Sequence, residues 1–520
     1  MADRIAEAGL ELLRPHAEVI VRAGLSGPAL LEAASDVEAL IVRSETRVTR
    51  EVLQAGRRLK VVARAGAGVD NIDVPAATER GILVVNTPGG NAVAAAEHTI
   101  GLLFALARRI PAADSALKRG EWRRDALMGV EVAGKTLGLI GLGRVGQEVA
   151  QRALGLGMHV LVYDPYVPVE HAEKLGVTST TLEDLLRQAD FVSLHVPLTE
   201  ATRGMIGAPQ LALMRPEAYL INCARGPLVD PAALLEALDQ GQIAGAALDV
   251  FVREPATDDP LARHPRVVAT PHLGASTYEA QENVARQVAE QVLEVLAGRP
   301  AQFVVNGPAL PPEQAKLLQP YLTLLEILGK LCTQLGHGSL ARAVISYRGE
   351  IAGHDTAALT AVAIKGLLEP ISSAPVTLVN ARLEAERRGL EVVEVKTSHA
   401  AEYTSLVTVA IEGGGQHRSV AGTIIEGVPH VVGIDDFGLH FVPTPGYLLV
   451  TRHTDRPGVI GMVGTILGQE DINISSMQVG REGPRGRALM LVAVDDPIPP
   501  AVAARLRALP NVGQLRVIRL

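Results

Sequence analysis

The sequence predicts an α/β protein of several domains, in which parallel sheets covered by helices on both faces form the first part of the chain. Three observations support this fold class. At 520 residues the chain is long enough for about three or four domains. Short apolar runs alternate with helical stretches over residues 16–96 and again from residue 134, which is typical of parallel strands joined by helices. After residue 310 one helix and then a series of β-prone runs follow, which predicts α+β domains there.

Composition and charge exclude several other classes. Hydrophobic residues make up 48% of the chain and charged residues 20%, as in an ordinary globular protein. The formal net charge of −8 argues against a generic nucleic-acid binder. No uninterrupted apolar stretch reaches the length of about 18 residues that a membrane-spanning helix needs. Two cysteines are too few for a disulfide framework, which is typical of a reducing cytoplasm. Together, these observations lead us to expect a cytoplasmic protein with neither nucleic-acid nor membrane partners.

The first predicted sheet draws on four apolar runs, which are AEVIVR, ALIVRS, LKVVARAG and GILVVNT. A long Ala-rich helix is then expected over residues 91–122, and Pro111 predicts a break in it. The second sheet draws on KTLGLIGLG, MHVLVYDP, DFVSLHVP, AYLINCARG, GAALDVF and RVVATPH. A helix over residues 276–298 should return the chain toward the first domain.

The C-terminal part of the chain contains two further units. Residues 310–445 predict a helix followed by the strands ARAVISYRGE, EVVEVKTS, SLVTVAIEGG and RSVAGTIIEG. From residue 446 the order strand, helix, strand, strand, helix, strand predicts a βαββαβ domain of about 75 residues.

The segment GLIGLGRVG places Gly141, Gly143 and Gly146 in a GxGxxG spacing between an apolar strand and a helix. Such glycines permit a tight turn, close approach of a pyrophosphate and close helix–strand packing, and the helix N-terminus favours the phosphates. The next strand ends at Asp164, where a carboxylate binds the ribose hydroxyls and repels a 2′-phosphate. The pattern therefore predicts a Rossmann-type site for NAD rather than NADP. Arg144 lies inside the loop, where it contacts either the pyrophosphate or solvent.

Polar residues follow three later strands, and the carboxyl ends of parallel strands line the crevice of an open sheet. Arg225 follows INCA, Asp249 and Glu254 lie in ALDVFVREP, and His272 lies in TPHLGAS. Hydride transfer from a 2-hydroxy acid needs a cation for the carboxylate, a base for the hydroxyl proton and an acid that orients the base. We expect Arg225, His272 and Glu254 to fill these roles. Alone, each residue has a simpler interpretation, as a helix cap, a satisfied loop histidine or a surface acid.

The motifs GLIGLGRVG, NCARGPLVD, ALDVFVREP and TPHLGAS resemble the D-isomer-specific 2-hydroxyacid dehydrogenase family over roughly residues 1–306. LIVRSETRVT, VVARAGAGVDNID and VVNTPGGNAVAAAEHT resemble the members of that family that oxidise 3-phosphoglycerate in the phosphorylated route to L-serine. HTDRPGVIGMVGTIL and DINISSMQVG resemble an ACT regulatory domain, and residues 310–445 resemble the intervening domain of the long form. The resemblance covers essentially the whole chain.

The resemblance implies an α/β architecture in which a Rossmann-type, doubly wound parallel sheet is inserted in a flavodoxin-like substrate domain. An α+β intervening domain, of the allosteric substrate-binding kind, and a βαββαβ ACT domain follow. The implied boundaries are residues 1–93 and 287–309 for the substrate domain, 94–286 for the NAD-binding domain, 310–445 for the intervening domain and 446–520 for the ACT domain. The implied ligands are NAD, 3-phosphoglycerate and L-serine as effector, in a homodimer or homotetramer with hinges near residues 91–97 and 280–287.

The resemblance also implies the residues of each site. The catalytic residues would be Arg225, Glu254 and His272. The NAD contacts would be Gly141, Gly143, Arg144, Val145, Gly146, Asp164, Cys223, Asp249 and Gly274. The substrate contacts would be Arg43, Ser44, Arg64, Gly66 and Asn91. The serine contacts would be His453, Asp455 and Asn473, unless this segment serves only to form oligomers.

Five features of the sequence depart from the family pattern or leave alternatives open. The usual first strand of the substrate domain is missing before ADRIAEAGLELL, which predicts a rearranged sheet or a truncated start. Ala67 and Ala94 stand where relatives often have threonine and serine, which weakens the expected substrate contacts. Trp122 either projects toward the partner subunit's active site or packs as an ordinary apolar side chain. Cys223 is either a redox-sensitive thiol or a small residue packed against the nicotinamide.

Two other functions share much of this pattern. A 2-hydroxyacid dehydrogenase of the glyoxylate or D-lactate type would use the same catalytic set, although Arg43, Arg64 and the ACT segment argue against it. An NAD-sensing corepressor on the same fold would use the nucleotide for assembly. Turnover separates the second alternative from an enzyme.

Overall fold

The first sheet is built from the apolar runs ALIV, VVAR and LVV, which form parallel strands in the order β1-β2-β3. The structure is a computed structural model that describes residues 1–310, 312–336, 339–399 and 402–520. The first elements are α1 (Glu7–Leu13), α2 (Gly27–Ala34), β1 (Ala39–Val42), α3 (Arg50–Ala55), β2 (Val61–Arg64), α4 (Val74–Glu79) and β3 (Leu83–Val85). Alternate strand residues face opposite sides, so Val62 packs against α2–α4 and Val61 against the other face.

The run AEVIVR forms no assigned strand, so that prediction is wrong. Residues 1–2 and 20–24 instead extend beside β1, since the Ala2 N–H donates to the Ile41 carbonyl (3.1 Å) and the Arg22 N–H to the Met1 carbonyl (2.9 Å). Ile20 and Val21 are 43% and 46% exposed, so this edge lacks the burial that fixes a strand. The two extended segments occupy the places of the first two strands of a flavodoxin-like order, so the order of this sheet is not rearranged.

The second sheet is parallel throughout, in the order β10-β9-β8-β7-β4-β5-β6, and confirms all six predicted runs. Its strands are β4 (Thr136–Ile140), β5 (His159–Tyr163), β6 (Thr178–Ser179), β7 (Phe191–Leu194), β8 (Tyr219–Asn222), β9 (Gly245–Leu248) and β10 (Val267–Ala269). The strand order reverses at β4, which is where doubly wound sheets open a crevice for ligands.

The helices of this region include the one that links the two sheets. They are α5 (Ala92–Ala107), α6 (Ile110–Lys118), α7 (Arg144–Gly155), α8 (Val169–Lys174), α9 (Leu182–Gln188), α10 (Ala208–Leu211), α11 (Pro231–Asp239) and α12 (Tyr278–Leu296). The predicted break near Pro111 is confirmed, because Arg109 adopts a left-handed conformation (φ 52°) between α5 and α6. Helix α12 buries Val284, Val288 and Val292 against the first sheet.

The third sheet has the order β12-β11-β13-β14-β15-β16. Its elements are α13 (Pro312–Leu335), β11 (Arg342–Gly349), α14 (Ala357–Leu368), α15 (Ala381–Arg387), β12 (Glu391–Thr397), β13 (Ser405–Gly413), β14 (Gln416–Ile425), β15 (Val428–Ile434) and β16 (Phe437–Phe441). Helices α14 and α15 were not predicted. Helix α14 is buried on nearly every side, so it lacks the polar face that reveals a helix in sequence.

The predicted βαββαβ unit is confirmed. It consists of β17 (Tyr447–Thr454), α16 (Val459–Gln469), β18 (Ile474–Arg481), β19 (Arg487–Val494), α17 (Pro500–Arg507) and β20 (Val512–Arg519), with sheet order β18-β19-β17-β20. Helices α16 and α17 cover one face of this sheet. Leu448, Val450 and Leu491 on the other face join the core formed by α13, α14 and the third sheet, so the two units share one hydrophobic core. Within the described ranges no helix combines the length and apolar character needed to cross a membrane.

Candidate active site

His272 and Glu254 form a hydrogen-bonded pair beside the carboxyl ends of β9 and β10. The His272 Nδ1–H donates to Glu254 Oε2 (2.8 Å), and the Phe251 N–H donates to Oε1 of the same carboxylate (3.1 Å). Burial disfavours the ionised form of Glu254, but the hydrogen bonds from His272 and Phe251 outweigh this and lower its pKa. Glu254 is therefore ionised at neutral pH, and it leaves the Nε2 atom of His272 for another partner.

The loop that carries His272 is held by the buried carboxylate of Asp249. His272 has a φ of 56°, a left-handed conformation that is unfavourable for a histidine. Asp249 accepts the N–H groups of Leu273 (2.7 Å) and Gly274 (2.9 Å) and the hydroxyl of Thr270 (2.6 Å). Its side chain is 0% exposed, so these donors compensate for a carboxylate removed from water. Asp249 thus supports the loop, and its predicted contact with NAD stays a prediction.

His98 on α5 is a further partner of Asp249 that the sequence interpretation missed. Its Nε2 atom lies 3.1 Å from Asp249 Oδ1 and 3.1 Å from the Thr270 hydroxyl. Burial raises the pKa of Asp249, but the hydrogen bonds from His98, Thr270 and the Leu273 N–H outweigh it, so the pKa falls below its ordinary value. The available signal was a histidine in the mostly apolar helix α5, because such a residue needs a polar partner when the helix is buried.

Arg225 reaches from the end of β8 to the first domain. Its Nε–H donates to Asp70 Oδ2 (2.8 Å), and its Nη1 group donates to the Ala224 carbonyl (2.6 Å). The guanidinium lies against Gly68, where a Cβ atom would fall 1.7 Å from Nη2. Asp70 and Gly68 follow β2, so this contact crosses the cleft between the two sheets. Neither residue was predicted to belong to the site.

Arg43, Arg64 and Arg225, which lie at the carboxyl ends of β1, β2 and β8, form a cluster of positive charge. Burial, together with the charges of Arg225 and Arg43, lowers the pKa of Arg64 to about 10. The Arg64 guanidinium is therefore close enough to Arg43 and Arg225 to be repelled by both. Gly66 has a φ of 150°, and a Cβ there would lie 2.4 Å from Arg64 Nη1, so only glycine leaves room for this arginine. Such a cluster fits a ligand with several negative charges.

The loop of Arg43 and Ser44 is held by two residues that were not predicted. Asp3 is 2% exposed and accepts the Thr46 hydroxyl (2.7 Å) and the Arg43 N–H. The Asn71 side chain donates to the carbonyls of Arg43 and Thr46, at 2.6 Å each. Ser44 is exposed beside them.

Asn91, a predicted substrate contact, lies at the start of α5. It occupies the N-cap position, but its side chain makes no capping hydrogen bond within the helix. The half-buried amide of Asn91 is therefore not used to begin the helix.

Ala67, which precedes Gly68, accepts a hydrogen bond on its carbonyl from the Asn86 side chain (2.5 Å). A hydrogen bond to the backbone thus holds the chain at Ala67, where the family resemblance led us to expect a threonine hydroxyl.

The glycine loop has the geometry of a phosphate cradle. Gly141 has a φ of 99°, and a Cβ on Gly146 would lie 2.2 Å from the Gly141 carbonyl oxygen. Gly143 faces open space at the N-terminus of α7, where backbone N–H groups favour phosphate. Asp164 accepts the N–H groups of Leu142 (2.8 Å) and Tyr166 (3.0 Å). The carboxylate thus fixes the loop, and it also borders an open depression of about 490 Å³ between the ends of β5 and β6.

Arg144, Val145 and Cys223 surround this loop. The guanidinium of the exposed Arg144 lies over the Phe303 ring, 5.0 Å from its centroid, so it reaches from the glycine loop across the cleft. Val145 is half-buried and packs against the core of the second sheet. Burial raises the pKa of the Cys223 thiol to about 12. A protonated thiol is a poor nucleophile, which argues against a redox-sensitive role for Cys223.

The three residues predicted to bind an effector are only partly brought together. His453 and Asp455 lie at the end of β17, where His453 is buried and only 7% exposed. The Nδ1 atom of His453 has no hydrogen-bond partner among the described residues. Asn473 precedes β18, at the opposite end of the sheet, where its side chain donates to Asp495 (2.6 Å). Within one chain, therefore, Asn473 does not reach the site of the other two residues.

Three family descriptions match separate parts of the chain. Residues 100–274 match the D-isomer specific 2-hydroxyacid dehydrogenase, NAD binding domain. Residues 317–435 match the D-3-phosphoglycerate dehydrogenase intervening domain. Residues 447–511 match the ACT domain. The matched ranges coincide with the second sheet, the third sheet and the βαββαβ unit.

Curated relatives match over the full chain. The D-3-phosphoglycerate dehydrogenase of Methanocaldococcus jannaschii is 46% identical over 521 residues, which span 100% of this chain and 99% of that protein. The Bacillus subtilis protein of the same name is 42% identical over 93% of this chain and 92% of its own length. The chloroplastic D-3-phosphoglycerate dehydrogenase 3 of Arabidopsis thaliana is 42% identical over 100% of this chain and 92% of its own length.

Solved structures match over a shorter length. A Thermus thermophilus protein has a TM-score of 0.55 and 39% identity over 58% of this chain and 98% of its own. The D-lactate dehydrogenase of Aquifex aeolicus, solved with NAD and lactic acid, has a TM-score of 0.53 and 31% identity over 57% of this chain and 95% of its own. These structures share the dehydrogenase fold.

Proposed function

The chain belongs to the D-3-phosphoglycerate dehydrogenase family, within the D-isomer-specific 2-hydroxyacid dehydrogenases, and from this we infer how its cleft works. The reaction is the NAD-dependent oxidation of 3-phospho-D-glycerate to 3-phosphohydroxypyruvate, the first step of phosphorylated L-serine biosynthesis. One observation carries the assignment of the site. A cluster of three arginines faces a cleft that also holds the His272–Glu254 pair.

The arginine cluster matches the charge of the substrate. 3-Phosphoglycerate carries a carboxylate and a phosphate, which together bring about three negative charges at neutral pH. Arg225 would bind the carboxylate with its planar guanidinium, while Arg43 and Arg64 would bind the phosphate together with the backbone near Gly66. A neutralising ligand relieves the repulsion that lowers the pKa of Arg64. Lactate and glyoxylate lack the phosphate and cannot use all three cations.

The catalytic residues divide the work of the oxidation. His272 Nε2 accepts the proton of the substrate hydroxyl, since Nδ1 is already bonded to Glu254. Glu254 stabilises the imidazolium that forms, and Arg225 polarises the developing carbonyl. NAD, when bound, supplies the hydride acceptor. The glycine loop, the start of α7 and Asp164 would hold it, with Arg144 at the mouth of the cleft and Val145, Cys223 and the backbone of Gly274 lining the pocket.

The domain boundaries inferred from the sequence belong to the same proposal. The substrate domain would comprise residues 1–93 and 287–309, and the NAD-binding domain residues 94–286, with hinges near 91–97 and 280–287. Support comes from Gly90, where a Cβ would lie 2.7 Å from a methyl group of Val284, so the two connecting segments pack against each other. Paired connections of this kind permit closure of the cleft on substrate.

A panel of 2-hydroxy acids tests the proposed reaction. We expect NADH formation from 3-phosphoglycerate with a kcat/KM at least about 10²-fold above that for glycerate or D-lactate, because two arginines would lose their partner. NAD should be preferred to NADP, since Asp164 repels a 2′-phosphate. A protein that binds NAD without turning over any member of the panel would instead support the corepressor alternative.

The same assay tests whether L-serine is an effector. His453 and Asp455 support this proposal, because the buried Nδ1 atom of His453 lacks a partner among the described residues and a serine ligand would supply one. The end of β17 and the following turn would bind the serine, and Asn473 would join only from a second chain. Inhibition of NADH formation by L-serine, abolished in Asp455→Ala, is the expected result. An unchanged rate at saturating serine would remove the effector from the proposal.

We also propose that the chain forms a homodimer or homotetramer through the segment around α6. Trp122 is 79% exposed, Met128 76% and Leu117 60%, so Trp122 does not pack inside its own chain. Large exposed apolar side chains in one segment are typical of an interface between copies. In sedimentation velocity, the wild type should sediment as an oligomer and Trp122→Glu as a smaller species. Ile371→Glu, a matched change at an exposed residue elsewhere, should leave the wild-type oligomer intact.

A further inference from the structure

The carboxylate of Asp70 is bonded to the guanidinium that the proposed function assigns to the substrate carboxylate. The Arg225 Nε–H donates to Asp70 Oδ2 at 2.8 Å, and the two groups belong to different domains. A carboxylate from the protein and a carboxylate from the substrate therefore have the same partner. Because a guanidinium presents a limited set of N–H directions, the two acids compete for it.

The remaining N–H groups of Arg225 show how limited that set is. Nη1 donates to the Ala224 carbonyl (2.6 Å), and Nη2 lies over Gly68, where a Cβ would fall only 1.7 Å away. Because Nε already donates to Asp70, the edge formed by Nε and Nη2 cannot bind a second carboxylate in a bidentate geometry. A substrate carboxylate gains that edge only when Asp70 releases it.

The exposure and charge of Asp70 make such a release feasible. Its side chain is 53% exposed and that of Arg225 is 31% exposed, so a freed carboxylate returns to water without being buried unpaired. Asp70 also offsets part of the charge of the arginine cluster, since it raises the pKa of Arg64 where Arg225 and Arg43 lower it. A ligand with about three negative charges neutralises the arginine cluster instead once it is bound.

We propose that Asp70 is a positioning residue that acts as an internal competitor for Arg225, displaced by the carboxylate of the substrate and returning as product leaves. This proposal rests on the proposed function in one respect, the role of Arg225 in binding the substrate carboxylate. Because Asp70 follows β2 and Arg225 follows β8, the exchange replaces a direct bond between the domains by a bond through the ligand. Substrate affinity is lowered by this competition, and product release is favoured.

The test is the variant Asp70→Asn, which keeps the shape of the side chain and removes its charge. The KM for 3-phosphoglycerate should fall about two- to fivefold, the range expected from loss of a partly exposed ion pair, and kcat should not rise. A residue that only maintained the structure would give the opposite sign, with a higher KM or a lower kcat/KM. The Ki of glycerol 3-phosphate, which has no carboxylate, should fall less than the KM, because this ligand gains from the lost charge but not from the freed edge of Arg225. A KM that is unchanged or raised, or a Ki that falls as much as the KM, would overturn the proposal.

Two further variants make the result specific. Asp73→Asn removes a charge three residues away and keeps the N-cap of α4, because asparagine caps as well as aspartate, so its KM should equal that of the wild type. Asp70→Glu restores the competing carboxylate and should return the KM toward the wild-type value, which shows that the charge is responsible. Wild-type turnover of 3-phosphoglycerate tests the proposed function itself, whereas the ratio of KM values between variants tests only the role of Asp70.

Discussion

Replacing His272 with glutamine should lower kcat with 3-phosphoglycerate and NAD by about 10²- to 10⁴-fold, the contribution expected of a general base. Glutamine keeps a polar group near Glu254 but cannot accept the hydroxyl proton. NAD affinity should be unchanged, because the glycine loop and Asp164 lie on other elements of the second sheet. Steady-state rates of NADH formation and calorimetric titration with NAD measure the two quantities. A kcat equal to that of the wild type would show that another group takes the proton.

Glu254→Gln is the matched comparison for this prediction. It leaves His272 present but removes the negative charge that stabilises the imidazolium, so we expect a smaller loss of kcat than in His272→Gln. Because the pKa of Glu254 is lowered, its carboxylate is ionised at neutral pH. It becomes protonated only at a pH below the ordinary pKa of a glutamate carboxyl. Its support of His272 is thus present across the neutral range and is lost as the pH falls through the lowered pKa. A larger loss of kcat in Glu254→Gln than in His272→Gln would contradict the assigned roles.

Adding one methyl group at Gly68 should lower kcat/KM on the order of 10²-fold, although this residue touches no part of the catalytic pair. The Cβ of Gly68→Ala would lie 1.7 Å from Arg225 Nη2 and 2.8 Å from Asp70 Oδ2, so the guanidinium must move. The backbone of Gly68 lies outside the left-handed region, so alanine introduces no conformational strain there. The loss of activity should therefore occur without a loss of thermal stability. Initial rates and a thermal melt measure both.

Gly101→Ala provides the control for this substitution. Gly101 lies inside α5, and a Cβ there meets no atom within 4 Å. Alanine at this position should leave kcat/KM unchanged and raise helix stability slightly, by about 0.5–1 kcal/mol. If Gly68→Ala retained the wild-type kcat/KM, Arg225 would not bind the substrate carboxylate from the position seen in this structure.

The sequence predicted the parts of the site that lie within short motifs. The glycine loop, Asp164 and the strand ends at Arg225 and His272 are each fixed by a few adjacent residues. The supporting residues were missed because their partners are distant in sequence. Asp70 is 155 residues from Arg225, and a buried acid such as Asp3 has the same local signature as a surface acid. Only the assembled fold identifies these contacts.

The fold shows the same division between local and distant information. Six strands of the second sheet were predicted because each contains a continuous apolar run, and the runs of the central strands β4, β7, β8 and β9 are buried on both faces. The run AEVIVR has a similar composition but lies at an exposed edge, so composition alone could not decide its structure. Asn473 shows a different limit. Sequence comparison grouped it with His453, but the strand register places the two at opposite ends of one sheet.

The return of the chain to its first sheet has a consequence for biosynthesis. Helix α12 and residues 301–306 complete the core of that sheet, for Val288 packs against β2 and the Asn306 side chain bonds to the backbone of Val84 (2.8 Å). A ribosome makes the N-terminal strands more than 200 residues before these partners, because 222 residues separate Asn306 from Val84. The second sheet has all its strands by residue 269, so we expect it to fold first during translation. The nascent N-terminal segment stays an unfinished domain, with apolar strands that need protection from aggregation until α12 emerges.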